Sequence, residues 1–311
     1  MFTKDFRQIS KRDVKIAGGK GASLGEMTQA KIPVPPGFVV LASAFDKFLE
    51  ETDFNVEIEA LLHKVSFKSV NLVSRASNEI RDLISDAEFP KEIAKEIIKE
   101  FSGLKAKYVA VRSSATAEDS SVASWAGELE SYLNTIENNL LENVKKCWAS
   151  LFTPRAIFYC FERKLNETKI SVAVVVQKMI QSKISGICFT VHPVTEDYNQ
   201  MIIEAGYGLG EAIVGGRITP DTYTINKKHW KIIDKNINQQ KIMIVKDKDG
   251  NIEKQVLRSE QGKQKLSDSQ ILKLAKICQR IESHYKTPQD IEWALFKDKF
   301  YILQSRPITT L

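Results

Sequence analysis

Residues 290–307 read DIEWALFKDKFYILQSRP, two β-type runs around the polar turn Lys297-Asp298-Lys299. A turn centred on Asp298 sets Trp293 opposite Leu303 and Leu295 opposite Tyr301. That makes one apolar face, because opposed residues of an antiparallel pair share a face. The other face then carries Glu292 opposite Gln304 and Asp290 opposite Arg306. A two-residue turn slips the register by one and sets Trp293 against Gln304, so the hydrophobic pattern favours the first pairing. A carboxylate, a carboxamide oxygen and a guanidinium converge on one patch. The patch reads either as the solvated outer face of a hairpin or as a Mg2+–phosphate site. Mg2+ takes hard oxygen ligands from one or two protein groups plus substrate phosphates, and Arg holds phosphate bidentately.

Upstream of the hairpin, SDSQILKLAKICQRIESHY is an amphipathic helix with Ser267 or Asp268 as N-cap. Residues 222–258 read as short, lysine-rich strands at an exposed margin. ISVAVVVQKMI is a β-branched run typical of a buried strand, and ISGICFTVHP and NQMIIEAGYGLGEAIVGG continue the alternation of strand and glycine turn. Further back, KYVAVRSSATAEDSSVASWAGELESYLN runs strand, small-residue loop, strand, and LLENVKKCWASLFTPRAIFYCFERKL is helical with a break near Pro154. SAFDKFLEE, IEALLHKV, NLVSRASNEIRDLI and FPKEIAKEIIKEFSGL have helical spacing. AGGKGASLGEMTQAKIPVPPGFVV gives a Gly-rich turn, a helix over 22–30 and a strand over 37–41. Two blocks of mixed strands and helices, joined near residues 179–182, predict an α+β protein with a ligand cleft between two lobes.

At 311 residues the chain can bury a sizeable core. It is 43% hydrophobic and 27% charged, ordinary for a globular protein. The net charge of +6 comes from lysines scattered among acidic neighbours, so no basic stripe argues for nucleic acid. The four cysteines, Cys147, Cys160, Cys188 and Cys278, show no CxxC or metal-type spacing and read as reduced thiols. MFTKDFRQISKRD has no apolar signal core and no run approaches the length of a membrane span, so the cytoplasm is the expected location.

Two familiar nucleotide signatures fail. GYGLGE lacks the last glycine of G-x-G-x-x-G, since position 211 is Glu. GGKGAS is not a P-loop, because Lys20 is followed by Gly21. GGKGASL still suits phosphate: its glycines let backbone amides approach, the following helix offers its positive N-terminus, and Lys20 adds a charge. Its bland reading is a flexible turn. The polar run 113–127 after Arg112 is long for a structureless loop and suits a lid over phosphates, or else a disordered linker. His63, His192, His229 and His284 sit in unrelated contexts and none reads as a nucleophile.

Taken together, GGKGASLGEM, VAVRSSATAED…WAGELESYLN, VVVQKMI, EAGYGLGEAIVGGRITPDTY and DIEWAL…YILQSRP resemble the nucleotide-binding domain shared by phosphoenolpyruvate synthase, pyruvate phosphate dikinase and rifampicin phosphotransferase. The blocks fall in the family's order and span residues 15–309. The resemblance implies an α+β, ATP-grasp fold over the whole of 1–311, with an N-terminal lobe of about 1–178 and a C-terminal lobe of about 179–311, and ATP held between them. It implies Lys20, Arg112 and Arg306 as the catalytic cations on the triphosphate, and Glu292 and Gln304 as Mg2+ ligands, in agreement with the hairpin register. Gly127 and Ser131 fall in the phosphate-covering loop and the strand after it. Gln177, Lys178 and Met179 occupy the hinge that receives adenine through backbone groups, Glu211 reaches the ribose, and Asp290 holds Arg306 or a metal-bound water.

In the family's dikinases, a histidine on a separate swivelling domain attacks the β-phosphorus of ATP, AMP leaves, and a third domain passes phosphoryl to the acceptor. This chain stops at QSRPITTL and carries no glycine-flanked histidine of the expected kind, and His192 is no substitute. The resemblance therefore implies an ATP- and Mg2+-dependent transferase half that works with a phosphohistidine domain supplied in trans or in the missing remainder of the chain. The resemblance implies pyruvate as the final acceptor if the parent is a phosphoenolpyruvate synthase, and an antibiotic if it is a rifampicin phosphotransferase; the acceptor site itself lies outside this sequence. The competing readings are a nucleotide sensor without turnover and an autonomous ATP-grasp ligase. The product separates them: AMP from a dikinase, ADP from a ligase, neither from a sensor.

Overall fold

A computed structural model of the chain describes residues 1–65, 69–116, 130–162, 171–248 and 250–309. The chain groups into two compact units, the first formed by Met1–Glu26 with Pro36–Met179 and the second by Met27–Pro35 with the chain from Ile180 onward.

The first unit contains β1 (Thr3–Asp5), α1 (Val14–Gln29, whose last residues belong to the second unit), β2 (Gly37–Val40), α2 (Ala42–Glu51), α3 (Phe54–His63), α4 (Val70–Asp86), α5 (Lys91–Gly103), β3 (Val109–Ala115), β4 (Ser131–Thr135), α6 (Glu137–Ala149), α7 (Pro154–Glu162) and β5 (Val172–Lys178). Its antiparallel sheet has the order β1-β2-β5-β3-β4. One face sends Phe38, Val40, Val109, Val111, Val172, Val174 and Val176 into a core with Phe45, Phe48, Ile80, Ile97, Val144 and Trp148 from the helices. Phe45, Phe48 and Phe89 surround Trp148 with ring centroids 5.5, 5.1 and 5.2 Å away. β5 is apolar throughout because its other face, with Ala173 and Val175, is buried as well.

Helix α1 begins earlier than the expected 22–30 and is broken inside. Gly18 takes φ 67° and ψ 172°, a backbone region essentially restricted to glycine. β3 also runs on to Ala115, so Ser113 and Ser114, expected in the loop, are strand residues. The remainder of the expected lid, 117–127, lies outside the described residues.

The second unit contains β6 (Ile184–Phe189), β7 (Gln200–Tyr207), α8 (Glu211–Val214), β8 (Asp221–Asn226), β9 (Lys231–Asn236), β10 (Ile242–Asp247), β11 (Gly250–Gln255), α9 (Asp268–Tyr285), β12 (Gln289–Phe296) and β13 (Lys299–Pro307). Its antiparallel sheet has the order β13-β12-β6-β7-β8-β9, and β10 and β11 form a separate hairpin. α9 has the expected cap: the Ser267 side chain accepts from the Gln270 N–H at 3.4 Å. It buries Ile271, Leu274, Ala275, Cys278 and Ile281. Asp221 and Lys265 form a fully buried ion pair, 2.9 Å apart. The Asp221 carboxylate also accepts from the backbone N–H groups of Lys265 and Asn238 and from the Tyr223 hydroxyl. A buried pair needs that much company to offset its desolvation.

The closing hairpin keeps half of the expected register and corrects the other half. Asp290 opposes Arg306 and Glu292 opposes Gln304, but Trp293 opposes Ile302 rather than Leu303, and Leu295 opposes Phe300 rather than Tyr301. The turn is a two-residue one after all, with Lys297 and Asp298 both left-handed at φ 48° and 58°, the conformation that matches strand twist. A bulge beside Glu292 and Trp293 takes up one extra residue, which restores the outer register and keeps Trp293, Leu295, Phe300 and Ile302 buried.

Among the described residues no helix is long and apolar enough to cross a membrane. The four cysteines are free. Burial pushes the Cys147 thiol up to about 12 and the Cys160 thiol up to about 11, which leaves both as unreactive thiols.

Candidate nucleotide site

In the first unit, the site residues gather on the sheet face opposite the aromatic core. Arg112 opposes Val175 on β5 and Ser131 on β4, Ser114 opposes Ala173, and Ala110 opposes Gln177. Opposed and alternate residues share a face, so Arg112, Ser114, Ser131 and Gln177 lie together. α1 runs over this face, fastened by one hydroxyl. Ser114 Oγ accepts from the Gly21 N–H at 3.2 Å and donates to the Ala17 carbonyl at 3.0 Å, so it clamps the chain on both sides of the Gly18 break. Lys20 sits in the first turn after that break, where the orphan N–H groups of a helix start favour an anion. Sequence reasoning missed Ser114. Its signal was only a second serine after Arg112.

At the end of β5, Gln177 is 2% exposed, and among the described residues its Nε2 has no hydrogen-bond partner. The Lys178 N–H donates to the Pro36 carbonyl at 2.9 Å and the Met179 N–H to the Tyr108 carbonyl at 3.0 Å. The Lys178 side chain is exposed and, by alternation, belongs to the opposite face from Gln177. Gly127 lies outside the described residues. Glu130, just beyond that segment, is held firmly: its carboxylate accepts from Arg81 at 3.3 Å and from the Tyr132 hydroxyl. Its carbonyl accepts from the Ser113 N–H at 3.1 Å and Oγ at 3.0 Å. Burial first, then the Glu130 hydrogen bond, push the Tyr132 phenol up.

In the second unit, Gln304, Glu292, Ile187 and Glu204 form one row across β13, β12, β6 and β7, with Arg306 and Asp290 in the next row on the same face. Arg306 donates from Nε at 2.9 Å and Nη2 at 2.7 Å to a single oxygen of Asp290. Burial raises the Asp290 carboxyl above its ordinary value and Glu292 adds to this, while Arg306 opposes it. Burial, with the Asp290 charge, likewise raises Glu204. Glu204 is a carboxylate of this face that sequence reasoning passed over. Its place in MIIEAG, out of phase with the buried Ile203 and Ala205, was the available signal.

Glu211 heads the short helix α8 and is exposed, and its Oε2 accepts from Asn251 Nδ2 at 2.8 Å. The preceding glycine turn is fixed from several sides. Gln240 accepts from the Tyr207 N–H at 2.8 Å and donates back to the Tyr207 carbonyl at 3.0 Å. The Gly208 carbonyl accepts from Ser182 at 2.9 Å and Ser185 at 2.7 Å. Gly208 has φ 89°, and a Cβ there would lie 2.4 Å from the Ile244 carbonyl oxygen. Of the histidines, His192 serves its own loop: Nδ1 accepts from the Val194 and Thr195 N–H groups, both at 3.2 Å.

The donor set on β12 and β13 fits Mg2+. Glu292 and Gln304 supply hard oxygens directly opposite each other. Among the described residues no three His, Cys, Asp or Glu side chains converge to cage a metal, so an ion held here would need phosphate and water to complete its shell, the usual arrangement for Mg2+.

The pyruvate phosphate dikinase AMP/ATP-binding domain model matches residues 14–311. A probable phosphoenolpyruvate synthase of Methanocaldococcus jannaschii is 46% identical over 98% of this chain and 26% of its own length. That of Methanothermobacter thermautotrophicus is 44% identical over 98% of this chain and 46% of its own length. The rifampicin phosphotransferase of Bacillus subtilis is 40% identical over 98% of this chain and 35% of its own length. The chain thus spans less than half the length of each of these relatives. It belongs to the pyruvate phosphate dikinase AMP/ATP-binding domain family.

Proposed function

We propose that this chain is the Mg2+-dependent, ATP-grasp half of a dikinase-type phosphotransferase, which passes the β,γ-pyrophosphoryl group of ATP to a histidine on a separate domain or partner. The observation that carries the reading is the outer half of the closing hairpin, where Glu292 opposes Gln304 and Asp290 holds Arg306 on one sheet face. In the reaction a neutral imidazole nitrogen bonds to the β-phosphorus while the Pα–O–Pβ bridge breaks. AMP leaves with the bridging oxygen. Little covalent work falls to the protein in such a transfer; positioning and charge stabilisation carry it.

In this reading Lys20, Arg112 and Arg306 neutralise the triphosphate as charge moves onto the leaving AMP. Arg306 is pre-aimed by Asp290, which limits its rotamers before substrate arrives. Mg2+ held by Glu292 and Gln304 would draw charge from the phosphate oxygens. Ser131 faces the phosphates beside Arg112, the phosphate-covering role of Gly127 rests on the resemblance alone, and Glu211 takes the ribose once released from Asn251. The likeness to phosphoenolpyruvate synthases favours pyruvate as the final acceptor, and the likeness to the rifampicin phosphotransferase supports an antibiotic as the second reading.

The test is 31P NMR of the chain with MgATP, alone and with a separately expressed phosphohistidine domain of a phosphoenolpyruvate synthase. AMP is expected only with the added domain. ADP formed by the chain alone, or intact ATP in both samples, overturns the transferase reading.

A further inference from the structure

We infer that Glu204 positions the Mg2+ ion held by Glu292 and Gln304, its carboxylate accepting a hydrogen bond from a water on that ion. This rests on the MgATP reading above and adds to it a positioning residue on a strand that carries none of the metal's direct ligands.

Glu204 is half-buried and stands on β7 between Ile203 and Ala205, both in the core. Alternation therefore puts its side chain on the open face, in the row of Glu292 and Gln304, with Ile187 of β6 between. Its neighbours on that face are Ile187, Thr222 and Ile202. Among the described residues no hydrogen bond or ion pair reaches its carboxylate, whereas Asp290 in the next row has Arg306. Burial, with the Asp290 charge, holds the Glu204 carboxyl above its ordinary value, so its ionised form is disfavoured at neutral pH. Charges kept at such a cost concentrate at functional sites. That the Asp290 charge is felt also places the Glu204 carboxylate toward β12, the strand of the metal ligand Glu292.

The chemistry of the ligand says which group meets it. An ionised carboxylate only accepts hydrogen bonds. A triphosphate at neutral pH is likewise an acceptor, so the two repel unless a cation stands between them. Mg2+ keeps several of its waters when it binds, and those waters are the donors that the nucleotide brings to this row. The spacing suits a bridge through water. Adjacent strands lie about 4.8 Å apart, so the Cα atoms of Glu204 and Glu292 are roughly 10 Å apart across β6. Two Mg–O bonds of about 2.1 Å and a hydrogen bond of about 2.8 Å span roughly 7 Å, and the two glutamate side chains leaning toward each other cover the remainder. Direct bonds from both carboxylates to one ion would span only about 4 Å.

The experiment measures ATP affinity by calorimetry, from EDTA to saturating free Mg2+, for the unmodified chain and for the isosteric Glu204→Gln. The free Mg2+ concentration at which ATP affinity is half-maximal is expected to rise about tenfold in the variant, the usual effect of losing a group that holds a metal's ligand. Affinity for ATP in EDTA is expected to stay equal or to rise, because a carboxylate no longer opposes the triphosphate. The two effects run in opposite directions, and each protein serves as its own reference, so a general loss of stability does not imitate them. An unchanged Mg2+ half-point overturns the inference, as does a loss of ATP affinity that is equal with and without Mg2+, which marks a merely structural glutamate. Failure of the unmodified chain to bind ATP at any Mg2+ concentration would instead overturn the proposed function.

Discussion

Replacing Gly18 by alanine puts a methyl group where the chain has no space for one. The added Cβ would stand 2.2 Å from Ser114 Oγ, 2.3 Å from the Ser114 carbonyl oxygen and 2.6 Å from its carbonyl carbon. The φ of 67° with ψ of 172° costs a non-glycine residue about 1–3 kcal/mol by itself, and relieving the clash requires β3 or α1 to shift. We expect a total loss of about 3–5 kcal/mol, or roughly 10 °C in the first transition of a thermal melt. Ser114→Ala removes the hydroxyl contact but leaves the two backbone contacts. It also leaves the Gly21 N–H and Ala17 carbonyl without the partner that Ser114 supplies, a loss of about 2–3 kcal/mol. The double variant Gly18→Ala/Ser114→Ala should therefore fall below Ser114→Ala by about 2 kcal/mol or more. Urea unfolding of the three variants measures these differences, and calorimetry with MgATP should show affinity falling with them, since Lys20 follows the break. If the double variant regains the stability of Ser114→Ala, the obstruction was the hydroxyl alone and the backbone argument is wrong.

Glu292→Ala should abolish Mg2+-dependent ATP binding in calorimetry, because it removes one of the two hard-oxygen ligands; unchanged affinity would remove Glu292 from the metal site. Glu204 has a folded-state carboxyl raised above the ordinary 4.5, so its stabilising contribution is complete below about pH 4.5 and is lost as pH rises through the folded value. Glu204→Gln should accordingly be the more stable protein at pH 7, with the gap closing toward pH 4; urea midpoints across that range that run parallel would refute this. The left-handed Lys297-Asp298 turn is strained for L side chains, so Lys297→Asn with Asp298→Gly should stabilise the hairpin by about 1 kcal/mol. A lower melting temperature would show that the turn is not limiting.

Much of the fold could be read locally. Strand period 2 in 290–307, the β-branched run of β5 and the Ser267-capped helix α9 each declare themselves within a few residues, because backbone period and burial leave their mark on neighbouring positions. The same periodicity put Glu292 opposite Gln304 and Asp290 opposite Arg306. It could not reveal the bulge, since Lys297-Asp298 lacks the Asn-Gly signature of the tight turn that forms there. The break inside α1 was hidden too: GGKG reads equally as a flexible loop, and its clamp, Ser114, lies 93 residues further along the chain.

What the sequence determined by itself was therefore most of the longer elements, their polar and apolar faces, and the family to which the motifs belong. What only the tertiary structure decided was which faces became rows: Glu204 joins Glu292 because β12 lies beside β6 and β6 beside β7. Asp221 finds Lys265 at a separation of 44 residues. These outcomes depend on strand order and long-range register. Those are fixed by how whole faces bury against one another, and no local pattern of residues encodes them.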